Sequence, residues 1–189
     1  MNLRTLTTIL AFSLVGSEVR AECKWFLPAN QAFLCVDDVD QDCGLDAKLV
    51  DATGGTKEAD LQVPDPCGLK PGALAKIVHD YAMKNAGVPA EACSVKAKGN
   101  ACQLEVGIVV TSKKSKKHLS YVVSAAKVAV AKGDVKCMDK ACDSIELRGA
   151  SYAKDHGALV IWVQEVDGLG DENHPPSFVN HYRIVKIER

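Results

Sequence analysis

Eight cysteines, an even number and all downstream of an apolar leader, constrain this chain more than any other feature. They are Cys23, Cys35, Cys43, Cys67, Cys93, Cys102, Cys137 and Cys142. An even count behind a leader of this kind reads as a disulfide framework formed in an oxidising compartment. Eight cysteines allow 105 connectivities, so their order in the sequence does not assign the pairs. Four precede the strongest helical segment and four follow it, which favours pairing within each half. Cys137 and Cys142 bracket Met-Asp-Lys-Ala, and Cys93 and Cys102 bracket a segment with a Gly-Asn turn, so both are candidate local staples. Neither pair has the two-residue spacing of a zinc knuckle, and free thiolates are disfavoured outside the cytosol, which argues against zinc.

The leader has the three parts of a secretory signal. Arg4 is its positive end, Leu6 to Gly16 its apolar stretch, and Val19-Arg20-Ala21 its cleavage region. The apolar stretch is too short for a permanent membrane anchor, which needs roughly 18 residues or more. Glu22 stands before Cys23 where a lipid-modified cysteine would follow a small residue, so Cys23 reads as a disulfide cysteine. The expectation is a secreted or periplasmic protein without a transmembrane segment: residues 1–21 a signal peptide, 22–189 one disulfide-containing domain. Losing Arg4, Arg20 and Glu18 with the leader moves the formal net charge from −1 to −2. So balanced a charge gives no global reason to expect nucleic acid or a charged membrane as partner.

Residues 22–68 are rich in turns and acidic residues and read as a loop-rich N-terminal part. Ala32 to Val36 suits a short strand, and Lys48 to Ala52 with Ala59 to Val63 suits a hairpin about Gly54-Gly55. The clear helix follows. Pro71 fits a first helical position. Leu74, Ile77, Val78, Tyr81 and Ala82 share one face, with Lys76, Asp80 and Lys84 on the other. Gly87 before Val88-Pro89 supplies the stop. Gln103 to Thr111, Ser144 to Tyr152, Ala158 to Val166 and Val179 to Glu188 read as strands. His118 to Lys132 fits helical spacing but is rich in valine, and strand is the preferred reading. These elements predict an α+β domain, with one main helix packed on a curved, mostly antiparallel β-meander. The element order looks like that of cystatin-like and NTF2-like shapes, although Gln103-Leu104-Glu105-Val106-Gly107 misses the cystatin hairpin spacing by one position.

The sharpest local feature is Lys113, Lys114, Lys116, Lys117 and His118, broken only by Ser115. At a hairpin tip these groups concentrate positive charge that would attract phosphate, sulfate or carboxylate groups of a polymer or surface. Lysines at a sheet end also serve simply to keep it solvated and to block edge pairing. With no interleaved aromatics, nucleic acid is a weaker match than an anionic glycan or lipid. Asp38, Asp40 and Asp42 fill the first three ligand positions of a calcium loop. Cys43 then displaces the required glycine, and Leu49 stands where a bidentate glutamate is needed, so an acidic solvated loop is the better account. Asp171, Glu172 and His174 share a long loop, and His79 neighbours Asp80 on the helix. No nucleophile elbow, metalloprotease helix, phosphate loop or cofactor fingerprint is present. No cofactor is expected. The leading expectation is a binding protein for a protein or anionic partner. Its rivals are a small hydrolase or isomerase with a pocket between helix and sheet, and a cystatin-like protease inhibitor.

Overall fold

The computed structural model describes residues 22–36, 45–63, 65, 68–69, 72–95, 99–138, 142–167 and 177–188. It corrects the α+β expectation: the described residues are mostly β, 61% of them strand in three antiparallel sheets, with a single short helix among them. The first sheet has the order β4-β3-β2-β1-β5, with β1 Glu22–Leu27, β2 Ala32–Val36, β3 Ala47–Asp51, β4 Thr56–Glu58 and β5 Val88–Pro89. The second has the order β10-β9-β8-β7, from β7 Ala101–Gln103, β8 Ile108–Ser115, β9 His118–Ala125 and β10 Val128–Lys136. The third has the order β13-β12-β11-β6, from β6 Glu91–Ser94, β11 Cys142–Ala153, β12 Ala158–Asp167 and β13 Ser177–Lys186.

The third sheet lies between the other two, and the sequence of β12 shows why. Ala158 to Val163 is an unbroken apolar run, and a strand buries such a run only when both its faces are covered. Leu159, Ile161 and Val163 pack with Ile108, Val110, Leu119 and Val123 of the second sheet. Val160 and Trp162 point the other way, onto Phe26, Phe33 and Val50 of the first sheet. β2 repeats the pattern one layer out. Phe33 and Cys35 face the middle sheet, while Leu34 faces outward into a cluster with Leu27, Ala47, Leu61 and Ala82.

That outer cluster is where helix α1, Ala73–Lys84, docks. Of the predicted stripe, Ile77, Val78, Tyr81 and Ala82 pack into that cluster, while Leu74 is not part of it. The partner surface differs, because both faces of the middle sheet are already occupied. The helix therefore covers the N-terminal sheet, and the helix-wrapped meander suggested by the element order is not formed. The expected loop-rich N-terminal part supplies that sheet. Its β3–β4 turn is closed by Asp51 Oδ1, which accepts from the N–H of Thr53 at 2.8 Å and of Gly55 at 3.1 Å. The Thr53 hydroxyl donates to the same oxygen at 2.6 Å, and with these backbone bonds it holds the Asp51 carboxyl below its ordinary range. The helix stop also differs in detail. Ala86 takes the left-handed conformation (φ 52°), while Gly87 is needed for close approach: a Cβ there would lie 2.9 Å from both Ala82 O and Leu27 Cδ2.

Residues 118–132 are strand, as preferred, but they divide between β9 and β10 at a two-residue turn. Ala126 and Lys127 both have positive φ, the twist that tight hairpins require. Three disulfides staple the described residues: Cys23–Cys35 joins β1 to β2, Cys93–Cys102 joins β6 to β7, and Cys137–Cys142 closes the link from β10 to β11. Both local staples expected from spacing are thus formed. No helix among the described residues is long and apolar enough to cross a membrane.

Candidate functional site

Strand directions gather several chemistry-bearing groups at one end of the molecule. The β8–β9 turn, the end of β10, the start of β11, the end of β12 and the start of β13 all meet there. The basic cluster read from the sequence sits at this end, as a tight hairpin. Ser115 pairs with His118, so Lys116 and Lys117 form the turn itself.

Strand alternation sends the cluster in different directions. Val110 points to the core, and Lys114 shares its parity at the margin between two sheets. Lys114 Nζ donates to Glu146 Oε1 at 2.8 Å, and Arg148 Nη1 lies 3.7 Å from Glu146 Oε2. The hydrogen bond from Lys114, reinforced by the charges of Lys114 and Arg148, holds the Glu146 carboxyl below its ordinary range despite partial burial. Arg148 Nε in turn donates to Gln164 Oε1 at 2.9 Å. Lys114 is therefore committed to a polar ladder across the sheet.

Lys113 and His118 take the opposite parity and lie on the outer face of the second sheet. Lys136 stands directly opposite His118, Asp134 opposite Ser120 and Lys132 opposite Val122. The outer face and tip together carry exposed Lys113, Lys116, Lys117, Lys132 and Lys136, interspersed with Thr111, Ser120 and Ser124. Asp134 is the carboxylate among them, 3.2 Å from His118 Nε2. The sequence reading missed Lys132 and Lys136, since only hairpin register brings them beside a cluster some twenty positions earlier.

Beneath the tip lies a second constellation that sequence reasoning missed. Glu165 on β12 is 1% exposed and His181 on β13 is 7% exposed. They are diagonal cross-strand neighbours, with His181 Nε2 2.9 Å from Glu165 Oε2. The same oxygen accepts from the N–H of Met138 at 2.9 Å, tying the pair to the Cys137–Cys142 loop. Cys137 N–H donates to Lys117 O at 3.0 Å, so that loop also braces the basic tip. The sulfurs of Cys137 and Cys142 and a carboxylate oxygen of Glu165 all lie within 4.8 Å of one another. Bonded sulfurs are poor metal donors, so the arrangement is a disulfide held against a buried carboxylate. The available sequence signal was phase: Glu165 continues the inward-facing series Leu159, Ile161 and Val163.

The other sequence candidates separate. His79 is exposed on the helix, 3.4 Å from Asp80 Oδ1 and edge-on to Trp25 at 5.4 Å between ring centroids. The interface beneath the helix is occupied by Leu27, Leu34, Leu61 and Ala82. Gln103 ends β7, and Leu104 to Gly107 form the tight β7–β8 turn, with Leu104 buried and Gly107 at φ 82°. Asp38, Asp40, Asp42, Cys43, Cys67, Asp171, Glu172 and His174 lie outside the described residues. No family model, curated protein or solved structure gives a significant match to this chain.

Proposed function

We propose that this chain is an exported, disulfide-stapled binding protein that engages an anionic polymer or surface through the β8–β9 tip and the outer face of the second sheet. The observation that carries the reading is the register of β8, β9 and β10. It aligns Lys113, Lys116, Lys117, Lys132 and Lys136 on one exposed surface with a single carboxylate, Asp134, among them. In a chain of net charge −1, such segregation makes a local positive field that the whole molecule lacks. Serine and threonine hydroxyls between the lysines can donate to the same anionic oxygens. A disulfide at the base of the tip restrains the hairpin before binding, which lowers the ordering cost of association.

The test is retention on heparin and on vesicles containing anionic lipid, read as the salt concentration needed for elution. The triple variant K113A/K116A/K117A should elute at much lower salt than the parent, and K132A/K136A should add to the loss. Unchanged elution of the triple variant removes the tip as a binding surface. Preference for heparin over vesicles, or the reverse, separates a polymer from a membrane partner.

A further inference from the structure

The structure points to a function for the Cys137–Cys142 disulfide beyond stapling: we propose that it exchanges with a partner dithiol, with the Glu165–His181 pair handling the proton at Cys142. Three independent observations meet at this bond. The first is a carboxylate buried to 1% exposure with an oxygen within 4.8 Å of both sulfurs. Burying an ionisable pair is costly, and a polar pair of similar shape would serve to hold the loop alone. The second is asymmetry of access. Cys142 is 2% exposed whereas Cys137 is only half-buried and is followed by Met138, which is 79% exposed. The third is charge. The loop hydrogen-bonds to the lysine tip, and Lys136 precedes Cys137 directly. Cationic surroundings favour thiolate, the reactive form in disulfide exchange.

The chemistry follows from this geometry. A thiolate of the partner attacks Sγ of Cys137, the less buried of the two residues. An S–S bond forms between them as the Cys137–Cys142 bond breaks, and the electron pair leaves on Cys142 Sγ. A thiolate beside a carboxylate is unfavourable, so Cys142 takes a proton from the Glu165–His181 pair, which recovers one from solvent. The partner's second thiol loses its proton and attacks the partner sulfur of the mixed disulfide. Cys137 departs and is protonated. Two electrons pass from the dithiol to the cystine, leaving a partner disulfide and two thiols on this chain. In the reverse direction Glu165 accepts the Cys142 proton and generates the attacking thiolate. Ionisable groups described on the neighbouring elements include His181 and Arg183 on β13, Tyr121 and His118 on β9, Lys114 on β8, and Asp143, Glu146 and Arg148 on β11, with Glu146 on the opposite face of β11 from the residue facing Glu165. His181 Nε2 lies 2.9 Å from Glu165 Oε2.

The experiment equilibrates the purified protein with graded ratios of reduced and oxidised dithiothreitol at pH 7. Thiols are trapped by acid and then alkylated, and peptide mass mapping scores each cysteine. Cys137 and Cys142 should become alkylated while Cys23–Cys35 and Cys93–Cys102 remain intact, with an equilibrium constant for reduction at least about tenfold larger. The rate of that reduction should fall by about tenfold or more in E165Q, and its pH profile should differ from that of the parent. H181N provides a second variant that keeps a polar side chain at the same position. Coincident reduction of all three described bonds in the parent protein overturns the proposal, whether or not the variants fold. Selective reduction with rate and pH profile unchanged in both folded variants equally removes Glu165 and His181 from the exchange.

Discussion

Removing the imidazole of His181 tests whether the Glu165–His181 contact is a coupled buried charge pair. In H181A the Glu165 carboxylate keeps the Met138 N–H bond but loses its neighbour at 2.9 Å, in a site 1% exposed. Stranding one partner of a buried pair costs about 3–5 kcal/mol, and the contacts Glu165 retains, the Met138 N–H bond among them, place this case toward about 3. E165Q is milder, because its amide oxygen can still accept from Met138 N–H, so a loss of about 1–2 kcal/mol is expected. In the E165Q background no charge is left to strand, and H181A should then cost only about 1–2 kcal/mol for lost packing and hydrogen bonding. The coupling energy is therefore about 1–2 kcal/mol. Urea unfolding of the parent and the three variants, followed by the fluorescence of buried Trp162, measures it. Equal costs of H181A in both backgrounds, within about 0.5 kcal/mol, would refute the reasoning.

Other consequences are directly measurable. Glu146→Gln releases Lys114 and removes a carboxylate beside the tip, so this variant should elute from heparin at higher salt than the parent. The Glu146 carboxyl titrates below its ordinary range when folded, so the stability it contributes is present above that range and lost as pH falls through the lower folded value. E146Q should accordingly flatten the acid limb of a stability profile at a neutral-pH cost of at most about 1 kcal/mol. Replacing Cys93 and Cys102 by alanine opens a loop with a sequence separation of 9, which should lower unfolding stability in urea by about 2–3 kcal/mol. Gly133→Ala places a Cβ 2.4 Å from Tyr121 Oη and 2.5 Å from its Cζ, so it should destabilise by about 1–3 kcal/mol in thermal unfolding. A Y121A/G133A variant should recover part of the steric share.

Local grammar was legible wherever a short segment contained its own reason. Ala32 to Val36 is a strand, helix α1 packs most of the stripe its periodicity marks, and the basic cluster flanks a two-residue turn. The cysteine pairs at separations of 5 and 9 close as their spacing suggests. β1 escaped notice because Glu22 to Leu27 mixes Glu22, Cys23 and Lys24 with apolar residues and takes its register only from β2 and β5.

What the sequence determined by itself is therefore a disulfide-bearing chain of many short strands, one amphipathic helix and a concentrated positive turn. Those properties depend on neighbours a few positions away. Tertiary structure alone decided which sheet the helix covers, because that depends on which apolar faces other strands leave open. Hairpin register, not composition, adds Lys132 and Lys136 to the basic surface. Glu165 meets His181 and the Cys137–Cys142 bond for the same reason: chain segments far apart in sequence become neighbours only when β10, β11, β12 and β13 end at one place.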